Sequence, residues 1–160
     1  MHIALPDDVR GPDGRGGVPG DDVSAAVYLA LARLSSMIAS QSVKIDVAVH
    51  PGLKAGMRAA ALADTLEELL TVALQAAPAS RMLLTAVTEN DRIAINVTDD
   101  MPGGDPAVRL SRVRTLKQRV TVRGDTLTVN VRPNEGTTMT LRLACAPAAA
   151  ETPKAAPGAI

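Results

Sequence analysis

Aromatic residues are almost absent from this chain of 160 residues. It contains neither Phe nor Trp, and Tyr28 is its only aromatic residue. The core must therefore be built from aliphatic side chains, which an apolar fraction of 46% can supply. The lack of aromatic rings also argues against binding of single-stranded nucleic acid, because such binding uses aromatic side chains on which the bases stack.

Cysteine, histidine and net charge are equally scarce. Cys145 is the single cysteine, and His2 and His50 are the only histidines. These counts exclude an internal disulfide and a Cys-based zinc finger, and they disfavour a His-rich site, so we expect no bound metal. Seventeen basic and seventeen acidic residues give a net charge of zero. A neutral chain is a poor non-specific ligand for nucleic acid or for an anionic membrane.

The chain also lacks long hydrophobic runs. No apolar stretch is long enough to cross a membrane, and the N-terminus carries acids and glycines where a signal peptide needs an apolar segment. These features predict a cytoplasmic protein. Residues 1–20 are rich in Pro and Gly, residues 146–160 are rich in Ala and Pro, and both segments are predicted to be disordered. Between them we expect an N-terminal helix over residues 21–41 and one domain over residues 42–145.

The N-terminal helix is predicted by apolar residues that recur every three or four positions over residues 23–38. The acids at 21–22 suit a helix N-terminus, and the pattern predicts about five turns ending near Ser40. This single stripe fits a helix packed on its own domain, which we favour, or the seam of a two-helix dimer. In the second case the candidate partner contacts are Val27, Leu31 and Leu34.

The remaining patterns predict strands and helices in alternation. The expected elements are a half-buried strand at 43–49, a helix at 58–77, strands at 82–88 and 93–98 joined by a hairpin turn, an Arg-rich helix from 106 to about 117, and strands near 127–131 and 139–143. Val120 and Val122 fit either an extension of the Arg-rich helix or the start of a strand. The order α-β-α-β-β-α-β-β predicts an α+β, two-layer sandwich with a mixed sheet and its helices on one face.

Three segments resemble motifs of the histidine-kinase-like ATPase superfamily, in the order that the family shows. They are Glu68–Pro78, which resembles the N-box helix, Asp99–Gly103, which resembles Asp-x-Gly-x-Gly after a hairpin, and Glu135–Leu143, which resembles the Gly-Thr-led last strand. The resemblance extends from about Val43 to Ala144. It implies the fold of the ATP-binding domain of sensor histidine kinases.

The same resemblance shows where this chain departs from the family. Val72 stands where the family's Asn holds Mg²⁺, and an isopropyl group offers no oxygen to that ion. Met101 replaces the first Gly of the second motif, and the Gly103-Gly104 pair leads almost directly into the next helix, leaving no room for a lid. Glu68 matches an acid that activates water in some members, but without a metal beside it we expect a vestigial carboxylate.

Asp99 matches the acid that accepts a hydrogen bond from adenine. The resemblance therefore implies a weak, vestigial adenine pocket made of Asp99, Gly103, Val72, Met101 and Thr138. Because phosphoryl transfer depends on positioning and charge neutralisation around the γ-phosphate, we expect no catalytic use of ATP and no cofactor. Weak binding of ATP or ADP without Mg²⁺ stays open.

The sequence favours a degenerate, largely non-catalytic protein-interaction module in bacterial two-component-type signalling. The expected partner is a response regulator, a histidine kinase or a sigma factor. The expected contacts are the first helix, which holds no phosphoacceptor histidine, and a basic cluster that includes Arg109 and Arg112, although this cluster also fits a solvated face. The alternatives are an ATP-binding histidine kinase or anti-sigma-type serine kinase with divergent motifs, and a structural protein that forms a homodimer through its first helix.

Overall fold

The computed structural model describes residues 22–102, 106–132 and 134–146. The predicted leader and nearly all of the predicted tail lie outside these ranges, as do Asp21 and Gly103. The elements in chain order are α1 (Val23–Arg33), α2 (Ser35–Ser40), β1 (Lys44–Val49), α3 (Ala59–Ala76), β2 (Arg81–Glu89), β3 (Arg92–Asp99), α4 (Pro106–Val122), β4 (Thr126–Arg132) and β5 (Gly136–Ala144).

The first helix begins as predicted but is interrupted. The Asp22 side chain caps α1 by accepting a hydrogen bond of 2.9 Å from the Ser24 amide. Leu34 then separates α1 from α2, which corrects the prediction of one continuous helix. The Leu34 amide is shared between two carbonyls of α1, at 3.1 and 3.2 Å, and a pair of serines follows it. Serine pairs are one of the recognised causes of helix kinks.

The apolar stripe of α1 belongs to the core of its own domain. Val27, Leu31 and Leu34 are 0%, 3% and 5% exposed, and α1 packs against α3. Side chains this deeply buried cannot reach a partner without unfolding the helix that carries them. Their placement corrects the expectation that they are partner contacts and agrees with the favoured interpretation of α1.

The five strands form one mixed sheet in the order β1-β2-β3-β5-β4. β1 runs parallel to β2, and the other neighbouring pairs are antiparallel. Asn90 and Asp91 connect β2 to β3 with φ angles of 47° and 65°. Two successive positive φ angles are typical of the tight hairpin turns whose twist matches that of the strands.

The two faces of the sheet differ in character. The inner face is apolar, as in the row formed by Leu84, Val97 and Met139, and it joins the buried faces of the helices in one core. The outer face carries exposed Leu83 and the half-buried Thr98 beside it. This arrangement confirms the two-layer α+β prediction. None of the helices in the described ranges combines the length and apolar character that a membrane span requires.

Two long helices, α3 and α4, differ in how they are held. The broad apolar face of α3 is buried, with the leucines at 62, 66, 69, 70 and 74 all at 0% exposure. Among the α4 residues whose side chains the structure describes, Val113, Leu116 and Val120 are buried, and they follow an i, i+3, i+7 stripe. α4 continues through Val122, so the residues that fitted either a helix or a strand belong to the helix.

Candidate functional site

Asp99 lies at the end of β3 on the inner face of the sheet. Its Cα partner on β5 is Thr137, and the two residues are each 2% exposed. A carboxylate at this depth needs a charged or hydrogen-bonding partner, because desolvation of an ionised group is costly. The site is therefore defined by what surrounds Asp99.

Gly136 brings the start of β5 directly against Asp99. Its φ is +106°, and a Cβ added there would lie 1.9 Å from the Asp99 carbonyl oxygen. Only glycine permits both this backbone conformation and this approach. The Gly-Thr pair that resembled the family's last strand therefore has a local physical reason, which is closure of β5 over the end of β3.

Both carboxylate oxygens of Asp99 are occupied from within the chain. Oδ1 accepts a hydrogen bond of 3.1 Å from the Met101 amide, and Oδ2 accepts one of 2.6 Å from Arg109 Nη1. The Arg109 residue is only 4% exposed, so this ion pair is buried. Arg109 of α4 is thus the side chain that donates a hydrogen bond to the Asp99 carboxylate.

Two buried polar atoms beside Asp99 have no hydrogen-bond partner in the described part of the chain. They are Arg109 Nη2 and the hydroxyl oxygen of Thr137. Buried polar groups in native proteins are nearly always satisfied, so each unsatisfied atom marks a place where the packing is not optimised for hydrogen bonding. Side chains of the chain itself therefore occupy the Asp99 site, but two of its buried polar atoms make no hydrogen bond within the described residues.

A groove of about 440 Å³ lies between α3 and α4. Val72 and Leu116 contribute apolar walls, and Glu68 on α3 forms an ion pair with Arg119 on α4. The complete lining is Asp64, Glu67, Glu68, Thr71, Val72, Arg112, Thr115, Leu116 and Arg119. In α3 the charged residues are all acidic, and in α4 they are all basic.

The acidic residues of α3 also contact α1. Arg33 donates a hydrogen bond of 2.7 Å to Asp64 and lies 3.4 Å from Glu67. The hydrogen bond with Asp64 is the main cause that raises the pKa of Arg33 above its ordinary value. Since Arg33 is charged at any physiological pH, this exposed ion pair links α1 to α3 without depending on the protonation of Arg33.

The residues present do not fit a magnesium nucleotide. Val72 offers no oxygen where the resemblance places a magnesium ligand, and Mg²⁺ requires near-octahedral oxygen ligation. Asp99 is already paired with Arg109, and the Met101 side chain packs against the core. Across the described residues, no three His, Cys, Asp or Glu side chains come together as a metal site would need.

One residue assigned to the adenine pocket lies on the opposite face of the sheet. Thr138 faces the outer side of the sheet, where its hydroxyl lies 3.1 Å from that of Thr98. This corrects its assignment to the adenine pocket, because neighbouring strand residues point to opposite faces and Thr137 is the one beside Asp99. Gly103, also assigned to that pocket, lies outside the described residues.

The two arginines named from the basic cluster lie in different surroundings. Arg109 is buried against Asp99, and Arg112 donates a hydrogen bond of 3.1 Å to Gln75 on α3. Arg109 is therefore too deeply buried to serve as the partner contact expected from the sequence, whereas Arg112 is exposed and its role as a partner contact stays a prediction. The exposed carboxylate of Glu68 bonds Arg119, so it is an anchor for α4.

Sequence reasoning missed Thr137 and the Asp99–Arg109 pair. The alternation of Met139, Leu141 and Leu143 carried the signal for Thr137, since every odd position of β5 faces inward. The ion pair has no comparable local signal, because it joins the end of a strand to a helix ten residues later.

Comparison with known proteins shows the fold. No protein-family model matches this sequence, and a search of curated proteins found no match. Among solved structures, full-length ShkA in complex with AMPPNP has a TM-score of 0.66 at 20% identity over 82% of this chain and 32% of ShkA. The histidine kinase AdeS of Acinetobacter baumannii has a TM-score of 0.68 at 11% identity over 78% of this chain and 66% of AdeS.

The catalytic domain of the histidine kinase ThkA has a TM-score of 0.63 at 12% identity, and the match covers 79% of this chain and 96% of that domain. The chain thus spans about a third of ShkA and nearly all of the ThkA catalytic domain. The chain has the histidine-kinase-like ATPase fold. This is the fold of the catalytic, ATP-binding domains of sensor histidine kinases, so the resemblance drawn from the motifs is confirmed at the level of the fold.

Proposed function

We propose that this chain is a non-catalytic protein-binding module of bacterial two-component-type signalling. The observation that carries the proposal is the buried ion pair between Asp99 and Arg109. It places a side chain of α4 on the acid that the family uses for adenine, and the chain would have to break that pair before a base could bind there.

The chemistry of the neighbouring residues supports the same conclusion. Val72 lacks a magnesium ligand, and the acids of α3 would repel a triphosphate that entered the groove unaccompanied by metal. The two arginines that line the same groove, Arg112 and Arg119, are already engaged by Gln75 and Glu68. Phosphoryl transfer gains nearly all of its rate from positioning and charge neutralisation of the phosphates. A site that supplies neither is better suited to protein binding than to catalysis.

A response regulator is the first partner class to test. ThkA, whose fold this chain shares, was solved in complex with the response regulator TrrA, with a TM-score of 0.65 to this chain at 10% identity. Histidine kinases and sigma factors remain further candidates. In each case we expect binding without nucleotide, since the proposed role does not use ATP.

The proposal is tested by calorimetric titration of the full chain with Mg-ATP and with ATP in EDTA. We expect no magnesium-dependent heat from the wild type. The double variant Val72→Asn/Met101→Gly restores two family residues and serves as the comparison. Sub-millimolar, magnesium-dependent binding to the wild type, or ATP hydrolysis that Val72→Asn leaves unchanged, would contradict the proposal and favour a divergent kinase.

A further inference from the structure

The helix α4 and the surface beneath it have opposite charge. α4 contains five basic residues and no acidic residue, whereas α3 contains three acidic residues and no basic residue. Arg109 pairs with Asp99, and Arg119 pairs with Glu68. The surface that α4 covers, which we call the α4 docking surface (Asp99, Glu68 and Gln75 with the adjoining parts of α3 and β4), is therefore built to hold a basic helix.

The apolar part of this contact is narrow. Of the α4 side chains that the structure describes, Val113, Leu116 and Val120 are the buried large apolar ones, while Leu110 is 47% and Val122 is 88% exposed. This stripe is narrower than the face of α3 on which five leucines are fully buried. Polar contacts to α3 and to Asp99 also hold α4, and the exposed pair Arg119–Glu68 is screened by salt.

The fit between α4 and its docking surface is also incomplete. Arg109 Nη2 and the Thr137 hydroxyl are buried without partners in the described part of the chain, and the groove of about 440 Å³ remains open beside α4. Partly satisfied buried polar groups weaken a contact relative to a fully paired one. Another helix with the same charges can therefore compete with α4 for this surface.

We propose that α4 is a displaceable occupant of the α4 docking surface and that a basic amphipathic helix of a partner protein binds there in its place. α4 itself shows the required pattern, which is Arg at i, i+3 and i+10 and apolar residues at i+4, i+7 and i+11, with i at Arg109. The partner helix lies on the α4 docking surface with its apolar face inward, as amphipathic helices do in other complexes. This inference rests on the proposed function and adds the chemistry of the partner.

The test uses a fluorescein-labelled peptide of residues 106–123 and fluorescence anisotropy with the full chain. In the variant Arg109→Gln/Arg119→Gln the chain's own α4 is held less firmly, so its docking surface is more often free. We expect this variant to bind the peptide more tightly than the wild type does by about tenfold or more, because apparent affinity scales with the fraction of molecules whose docking surface is free. The binding should weaken as salt is added.

Two matched controls isolate the docking contacts. The variant Arg114→Gln/Lys117→Gln removes the same charge from exposed positions of α4 and should behave like the wild type. The same peptide carrying Arg109→Gln and Arg119→Gln should not bind. The proposal would be overturned if the original and the substituted peptide bound equally, or if the two double variants of the chain bound the original peptide equally. It would also be overturned if the Arg109→Gln/Arg119→Gln variant were folded and bound no peptide. A wild-type dimer that the peptide dissociates would overturn it too, by assigning the surface to α4 of a second copy.

Native-state hydrogen exchange of the wild type provides a readout that needs no variant. If α4 is displaceable, its amides exchange through an opening that leaves α3 and β3 protected. A common opening free energy for α4 and α3 would overturn the proposal. The peptide and exchange experiments contain no nucleotide, so the inference can fail while the wild type still shows no binding of Mg-ATP. Nucleotide binding by the wild type would count against the proposed function, whichever peptide result is found.

Discussion

Replacement of Gly136 by Ala tests the packing that closes the site. At this position φ is +106°, and an added Cβ would lie 1.9 Å from the carbonyl oxygen and 2.8 Å from the carbonyl carbon of Asp99. Both contacts are shorter than the 3.0 Å below which real Cβ atoms are essentially never found, and both involve backbone atoms. The end of β3 or the start of β5 must therefore move by about an ångström, a shift that a close-packed interior resists.

The expected loss combines two effects. A disfavoured positive φ costs about 1–3 kcal/mol in a non-glycine residue, and overpacking costs a further 1–3 kcal/mol or so. We therefore expect Gly136→Ala to lower the free energy of unfolding by about 4 kcal/mol. Gly124 is the matched control, because its φ is +83° and nothing lies within 4 Å of an added Cβ. Gly124→Ala should cost only the backbone strain, about 1–2 kcal/mol.

Urea denaturation followed by circular dichroism measures both variants against the wild type, with the slope of the transition checked for constancy. The result that matters is the difference between the two glycine variants, which isolates the steric contact from the strain that they share. Equal losses at Gly136 and Gly124 would show that β5 does not pack against the backbone of Asp99 and would refute this description of the site.

Further substitutions separate the contacts around the site, each measured by the same denaturation assay. Arg109→Ala should lower the free energy of unfolding by about 3 kcal/mol, which is the low end for a broken buried ion pair, because release of α4 would rehydrate the Asp99 carboxylate. Arg114→Ala, on the exposed side of α4, should change it by no more than about 0.5 kcal/mol. Equal losses in the two variants would contradict the buried pair. Thr137→Val should leave stability nearly unchanged, because the Thr137 hydroxyl makes no hydrogen bond in the described structure, whereas Thr138→Val should cost about 1 kcal/mol for the hydrogen bond that it loses. A larger loss at Thr137 than at Thr138 would indicate that Thr138 faces the core. Asp91→Gly should stabilise the chain by about 1 kcal/mol, since φ there is 65°, and a loss would argue against the tight turn.

The elements that were predicted correctly are those whose patterns are local. Alternation over residues 43–49 corresponds to β1, whose side chains alternate between exposed and half-buried positions. The leucine-rich pattern near residues 58–77 corresponds to α3, and Asp22 caps α1 as expected. Such patterns depend on residues that are close in the sequence, so these elements can be predicted without knowledge of the tertiary structure.

The elements that were missed depend on longer-range geometry. The break between α1 and α2 at Leu34 falls within an apolar pattern that continues across it, and the serine pair that follows Leu34 was the only local sign of the break. The face of Thr138 depends on register, where a shift of one residue exchanges inside for outside. The pairing of Arg109 with Asp99 depends on how α4 docks, and the five basic residues of α4 look equivalent in the sequence.

A crystal structure of the full chain grown with magnesium and a non-hydrolysable ATP analogue tests the central claim most directly. The account predicts that Arg109 still holds the Asp99 carboxylate and that no nucleotide lies beside it. An ordered, metal-bridged nucleotide at Asp99, with Arg109 displaced, would contradict it.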